Sequence, residues 1–213
     1  MNVLVQIVVD ALSLGGLYAL TALGIGLIFS VMRLANFAHA ELVTCAAYAL
    51  FALSAHPLVM AVSSSVVLAV ALAVLTERMA FRPLRAADPT TMMIASFTVS
   101  MLIQKLLIFA LGSRPKSLDP VPVLSQAVWI GPAQVSLLKL VTIASCAILL
   151  LCLTFLLKRT RFGLHMRAAA ENFTMARLTG VKANTVIVVA FALSGILAAV
   201  VALLFAAQSG FVQ

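Results

Sequence analysis

Windows of about 20 residues almost free of charge recur along this chain, and each is long enough to cross a hydrocarbon core of about 30 Å as an α-helix. No other feature restricts the fold as strongly, because in lipid each backbone N–H and C=O must find a partner inside the protein. Charged residues make up 9% of the 213, against roughly 25% in soluble domains, and the mean hydropathy is +1.19. These values exclude both a soluble globular domain and a disordered chain. A β-barrel needs alternating segments of roughly ten residues, and none occur. The fold class is all-α: a polytopic transmembrane helical bundle, read as a single domain over residues 1–213.

Six spans are expected. They lie within Gln6 to Met32, then at Phe37 to Ser54, Leu58 to Thr76, Met92 to Leu111, Leu137 to Leu157 and Thr185 to Ala207. The N-terminal run has no basic residue before it and carries Asp10, which is unlike a cleaved signal peptide. The first span is therefore expected to stay, with Asp10 at the interface. The loops on one side hold Arg33, Arg78, Arg82, Arg85, Lys158, Arg159, Arg161, Arg167, Arg177 and Lys182. The other side holds Arg114, Lys116 and Lys139. This bias places the first set in the cytoplasm and the N-terminus outside. It also accounts for the net charge of +8 without nucleic acid. The outer loop from Gly112 to Val135 carries Pro115, Pro120, Pro122 and Pro132, which bar a regular helix and predict a rigid cover.

Small residues mark the packing faces. Ala190, Ser194, Ala198, Ala202 and Ala206 recur every four residues on the sixth span, and Ala11, Gly15 and Ala19 do so on the first, widened by Gly16, Gly24 and Gly26. Such stripes let helices approach closely in lipid. They serve packing within the subunit, or else a dimer seam or pore wall. Asn36, His39 and Glu41 fall at the cytoplasmic end of the second span. Asn36 and His39 share a helix face, and His39 and Glu41 diverge by about 200°. Two readings stand side by side: an Asn cap with a carboxylate near the helix N-terminus, or a polar belt beside a translocation pathway. Lys105 is expected to snorkel outward.

No P-loop, HExxH or GxSxG motif is present. Cys45, Cys146 and Cys152 lie in apolar runs without a CxxC pair, so they read as free thiols. No enzyme activity, metal or cofactor is expected, and any energy must come from a partner.

The polar stretch Lys158 to Asn184 holds six of the fourteen Lys and Arg in 27 residues. Phe162, Met166, Ala169, Phe173 and Ala176 recur at helical spacing, and Arg167 and Glu171 are placed to pair weakly. Asn172 is an expected N-cap for a short helix, Phe173 to Thr179, closed by a left-handed Gly180. Asn184 or Thr185 is expected to cap the sixth span.

MRAAAENFTMARLTGV (Met166 to Val181) resembles the cytoplasmic coupling segment of the branched-chain amino-acid ABC permease family. GGLYALTALG (Gly15 to Gly24), NFAHAE (Asn36 to Glu41) and ERMAFRPLR (Glu77 to Arg85) resemble the same family, in the same order along the chain. The resemblance implies a multi-pass subunit of a bacterial inner-membrane importer. Its implied partners are a second permease subunit, cytoplasmic ABC ATPase subunits and a periplasmic amino-acid-binding protein. Arg167, Ala170, Glu171, Met175, Ala176, Arg177, Leu178 and Gly180 would form the ATPase-coupling element. The family has Gly where this chain has Ala40, and it usually continues past the sixth span, so the resemblance implies a C-terminally incomplete permease. The alternatives are the same architecture importing urea or short amides, and a non-ABC channel or scaffold.

Overall fold

The computed structural model describes residues 2–85, 87–117, 127–130 and 133–212. Eight helices run through them: α1 (Asn2–Met32), α2 (His39–Ala52), α3 (Leu58–Thr76), α4 (Pro89–Leu111), α5 (Leu137–Arg159), α6 (Arg161–Glu171), α7 (Phe173–Leu178) and α8 (Ala183–Ser209). A π-helical turn, Glu77–Phe81, prolongs α3. Prolines fix the starts of two helices, Pro57 just before α3 and Pro89 in the first turn of α4, where their missing N–H costs no helical bond.

Five helices are long and apolar enough to cross a membrane: α1, α3 with its π-helical turn, α4, α5 and α8. The sixth expected span is shorter. α2 has 14 residues and so covers only about 21 Å.

Its position also corrects the expectation that Asn36, His39 and Glu41 lie at the basic end. The Ser100 hydroxyl donates to Glu41 Oε1 at 3.3 Å, and Ser100 is the central residue of α4, which runs from Pro89 to Leu111. That puts Glu41 about 16 Å from either end of the span. His39 shares a 3.0 Å hydrogen bond with Ser194, well inside α8. The physical cause is the linker 33–38. Arg33 ends α1 in the left-handed region at φ 54, and the chain then turns back into the bundle. α2 is thus a half-helix that starts at mid-depth and runs to the end opposite the basic loops.

α8 is the axis of the bundle. Its span is 61% buried, against 6% for α4 at the periphery. Ala190, Ser194, Ala198, Ala202 and Ala206 are all fully buried, so this ladder serves packing within the chain. A Cβ at Gly195 would come within 2.9 Å of the Ala69 carbonyl oxygen on α3, so only glycine permits that approach. On α1, Gly16 packs against Cys146 of α5, whereas Gly15 faces open space and Ala11 is exposed. The first-span stripe is therefore only partly used within the chain.

The end opposite the basic loops is built from polar ties and short strands. β1 (Lys116–Ser117) pairs antiparallel with β4 (Phe211–Val212), and β2 (Ala127–Ile130) pairs with β3 (Ala133–Ser136). The expected cover thus contains a hairpin that its composition did not reveal. Pro115 is exposed; Pro120, Pro122 and Pro132 lie outside the described residues. Asp10 forms an ion pair with Lys139, and Gln208 donates to Ser13 at 2.7 Å and Thr142 at 3.1 Å. Those bonds satisfy two fully buried hydroxyls. Lys105 is exposed on the half of α4 away from the basic loops.

Candidate functional site

The basic end carries a compact helical element, α6–α7. Thr160 opens α6 by accepting from the Gly163 N–H at 3.3 Å. Gly163 packs so closely on the Leu157 carbonyl that a side chain there would overlap it, which makes the α5–α6 elbow sharp. Asn172 caps α7 by accepting from the Met175 N–H at 3.0 Å. Gly180, at φ +85, takes the left-handed conformation that releases the chain from α7. Met166, Ala169 and Ala176 are buried, and Phe162 and Phe173 pack on the same core. The helical stripe read from sequence is the inward face.

The opposite face is open. Leu164, Met175 and Leu178 are 57%, 59% and 76% exposed, with Arg177, Glu171 and Gly180 exposed beside them. Ala170 is half-buried, and its carbonyl accepts from Arg33 at 3.3 Å. Arg167 does not pair with Glu171 as expected. Its guanidinium donates instead to the Leu157 carbonyl at the end of α5, an unsatisfied helix-terminal acceptor that binds a cation well.

A second cluster joins the α3–α4 connection to the start of α8; its Glu77 and Arg85 bound the family-like ERMAFRPLR stretch, but sequence reasoning did not pair them with each other or with Asn184. Glu77 is fully buried in the π-helical turn and forms an ion pair with Arg85. Arg85 also donates to Asn184 Oδ1 at 2.6 Å. Burial pushes the Arg85 guanidinium down from its usual value, and the Glu77 carboxylate beside it pulls it back up. Asn184 is thus spent on Arg85 rather than on capping, and α8 begins at Ala183 without a side-chain cap. One clue was visible: Glu77 is the single carboxylate between Glu41 and Asp88, and it stands eight residues before Arg85. Phe81 packs on Phe191 of α8, with ring centroids 5.5 Å apart.

The polar residues of the linker and α2 form the third site. Asn36 and His39 are fully buried, and His39 faces away from Glu41, as the 200° divergence requires. The His39 ring meets α8 at Ser194 and lies against Gly24 of α1, where a Cβ would collide with it. Asn36 does not cap α2 itself. Its Oδ1 accepts from the Ala38 N–H at 3.2 Å, one residue ahead of the helix, and so holds the tight turn. Ala40 is exposed, so no close backbone approach within the chain depends on it. Glu41 faces α4, where a cavity of about 250 Å³ is lined by Glu41, Thr44, Tyr48, Gln104, Leu107 and Ile108, with Gly112 and Ser113 at its outer end. Toward the basic end, Phe37 ties the linker to α4. Its N–H donates to Ser96 at 2.8 Å and its ring meets Phe97 edge-on at 6.3 Å. Among the described residues, no three His, Cys, Asp or Glu side chains gather in a way that would hold a metal ion.

The chain is 27% identical to the high-affinity branched-chain amino acid transport system permease protein BraD of Pseudomonas aeruginosa, over 98% of this chain and 72% of that protein. It is equally similar to LivH of Escherichia coli, a permease protein of the same description, over 92% of this chain and 68% of the relative. A shorter likeness, 39% over 94 residues, links it to the autoinducer 2 import system permease protein LsrC of Klebsiella pneumoniae, covering 44% of this chain and 25% of that one. No solved structure gives a significant match. A family profile described as branched-chain amino acid transport system, permease component, matches residues 7–213. The chain therefore belongs to the family of branched-chain amino acid transport permease components.

Proposed function

We propose that this chain is the membrane-embedded permease subunit of a bacterial inner-membrane ABC importer for branched-chain amino acids. In this reading it pairs with a second permease subunit, docks ATPase subunits in the cytoplasm and receives cargo from a periplasmic binding protein. The basic end is then cytoplasmic by the positive-inside rule, which puts the N-terminus outside.

The observation that carries the reading is the two-faced α6–α7 element at the basic end. Its inner face is locked to the bundle, while its outer face offers Leu164, Met175, Leu178 and Arg177 to a soluble partner. A short helix with exposed apolar anchors suits a groove on another protein. Four residues separate α7 from α8, so displacement of α7 bears directly on the central helix. The Glu77–Arg85–Asn184 clasp ties that motion to α3, and the Ser194–His39 bond carries it to α2. Rigid levers of this kind switch access between two packed arrangements.

Within this reading the three polar residues divide their work. Glu41 lines the pathway, while Asn36 and His39 hold α2 at its depth. Arg177→Glu or Glu171→Arg in the assembled transporter is expected to reduce ATPase pull-down and amino-acid uptake while leaving membrane insertion intact. Unchanged pull-down and uptake would overturn the docking role.

A further inference from the structure

We propose that Glu41 is the counter-charge for the primary ammonium group of the cargo, bound in the cleft between α2 and α4. The inference rests on the permease reading and names what the pathway recognises.

Three observations carry it. First, Glu41 lies level with the midpoint of α4, where an ionisable group is costly unless it meets a partner. Its carboxylate takes one 3.3 Å hydrogen bond, from Ser100, and no cation lies against it among the described residues. Secondly, it opens into a cavity of about 250 Å³, below the roughly 300–1,000 Å³ of drug-sized sites and so suited to a small molecule. Thirdly, that cavity has two chemistries. Glu41, Thr44 and Gln104 supply polar groups, and Leu107 and Ile108 supply an apolar wall. A carboxylate facing an aliphatic wall fits an ammonium group attached to a branched side chain, whereas an uncharged amide leaves Glu41 unneutralised.

The cleft's polarity is directional as well. Its outer end is lined by Gly112 and Ser113, and one helical turn inward from Ser100 the Phe37 N–H bonds Ser96 and the Phe37 ring meets Phe97. Cargo would enter from the outer side and stop at Glu41.

The test uses the complete transporter in proteoliposomes, with Thr44→Cys as a reporter in a Cys152→Ala background and a membrane-impermeant maleimide outside. Isopentylamine and leucine are expected to slow labelling at least fivefold, isocaproate is expected not to, and Glu41→Gln is expected to abolish protection. Glu41→Gln is also expected to raise the half-saturation concentration for leucine uptake about tenfold, the effect of losing roughly 1.4 kcal/mol of charge-assisted binding, with ATPase pull-down unchanged. Equal protection by isocaproate, protection that survives Glu41→Gln, or no labelling from outside would overturn the proposal. Wild-type leucine uptake without amine protection rejects the ammonium site and leaves the permease reading standing. Amine protection that depends on Glu41, in a wild-type complex that does not take up leucine, supports the site and rejects the cargo assignment.

Discussion

Removing Arg85 leaves a carboxylate stranded at the base of the bundle. The Glu77 side chain has no solvent exposure and that of Arg85 only 17%, so in Arg85→Ala water reaches the acid only through the space the guanidinium leaves. Breaking a buried ion pair from one side costs about 3–5 kcal/mol, most of it the uncompensated charge. Because Arg85 is partly exposed, the lower figure applies, about 3 kcal/mol. Glu77→Gln should cost less, about 1 kcal/mol, since the guanidinium it leaves behind keeps its bond to Asn184 and its access to water. The double variant should cost about 2 kcal/mol rather than the roughly 4 of the summed singles, a coupling of about 2 kcal/mol between contacting residues. The assay is unfolding of the purified protein in mixed micelles, read by circular dichroism against denaturant fraction for the four members of the cycle. An Arg85→Ala variant within about 0.5 kcal/mol of wild type, the scale of an ordinary surface change, would refute the argument. So would a double variant as unstable as the sum of the singles.

Two further predictions follow from close approaches. Gly24→Ala should destabilise the bundle by about 1–3 kcal/mol, because the added methyl meets a fully buried His39 ring that cannot withdraw; in a His39→Ala background the same substitution should be nearly neutral, measured by the same unfolding assay. Gly163→Ala should open the α5–α6 elbow, since the new Cβ overlaps the Leu157 backbone rather than a yielding side chain. Protease accessibility of α6–α7 in inverted vesicles should rise, and ATPase co-purification should fall.

The parts of this fold that were legible in the sequence are those set by local rules. Uncharged runs marked the five long helices, because length and apolarity alone decide whether a helix can span. The Asn172 cap and the left-handed Gly180 were readable because capping is a matter of three or four adjacent residues. Depth was not readable. Hydropathy assigns a segment to the membrane but not to a level within it, so the return of linker 33–38 and the mid-membrane start of α2 required the packed structure. The Glu77–Arg85–Asn184 clasp was hidden for a related reason. Its members lie 8 and 99 residues apart and follow no helical period. Arg167 was assigned to Glu171 by helix spacing, but a free helix terminus at Leu157 competed for it and won. The β2–β3 hairpin arose in a stretch whose prolines argued only against helix.

If α7 is the surface the ATPase grips, site-specific photo-crosslinking will capture that contact. A photoreactive amino acid at Leu178, which is 76% exposed at the basic end, is compared with one at Phe109, which is 91% exposed near the opposite end of α4. An ATPase adduct is expected from Leu178 in assembled transporter and none from Phe109. Adducts of equal yield from both positions, or none from Leu178 in a complex that still takes up amino acid, would contradict the docking role.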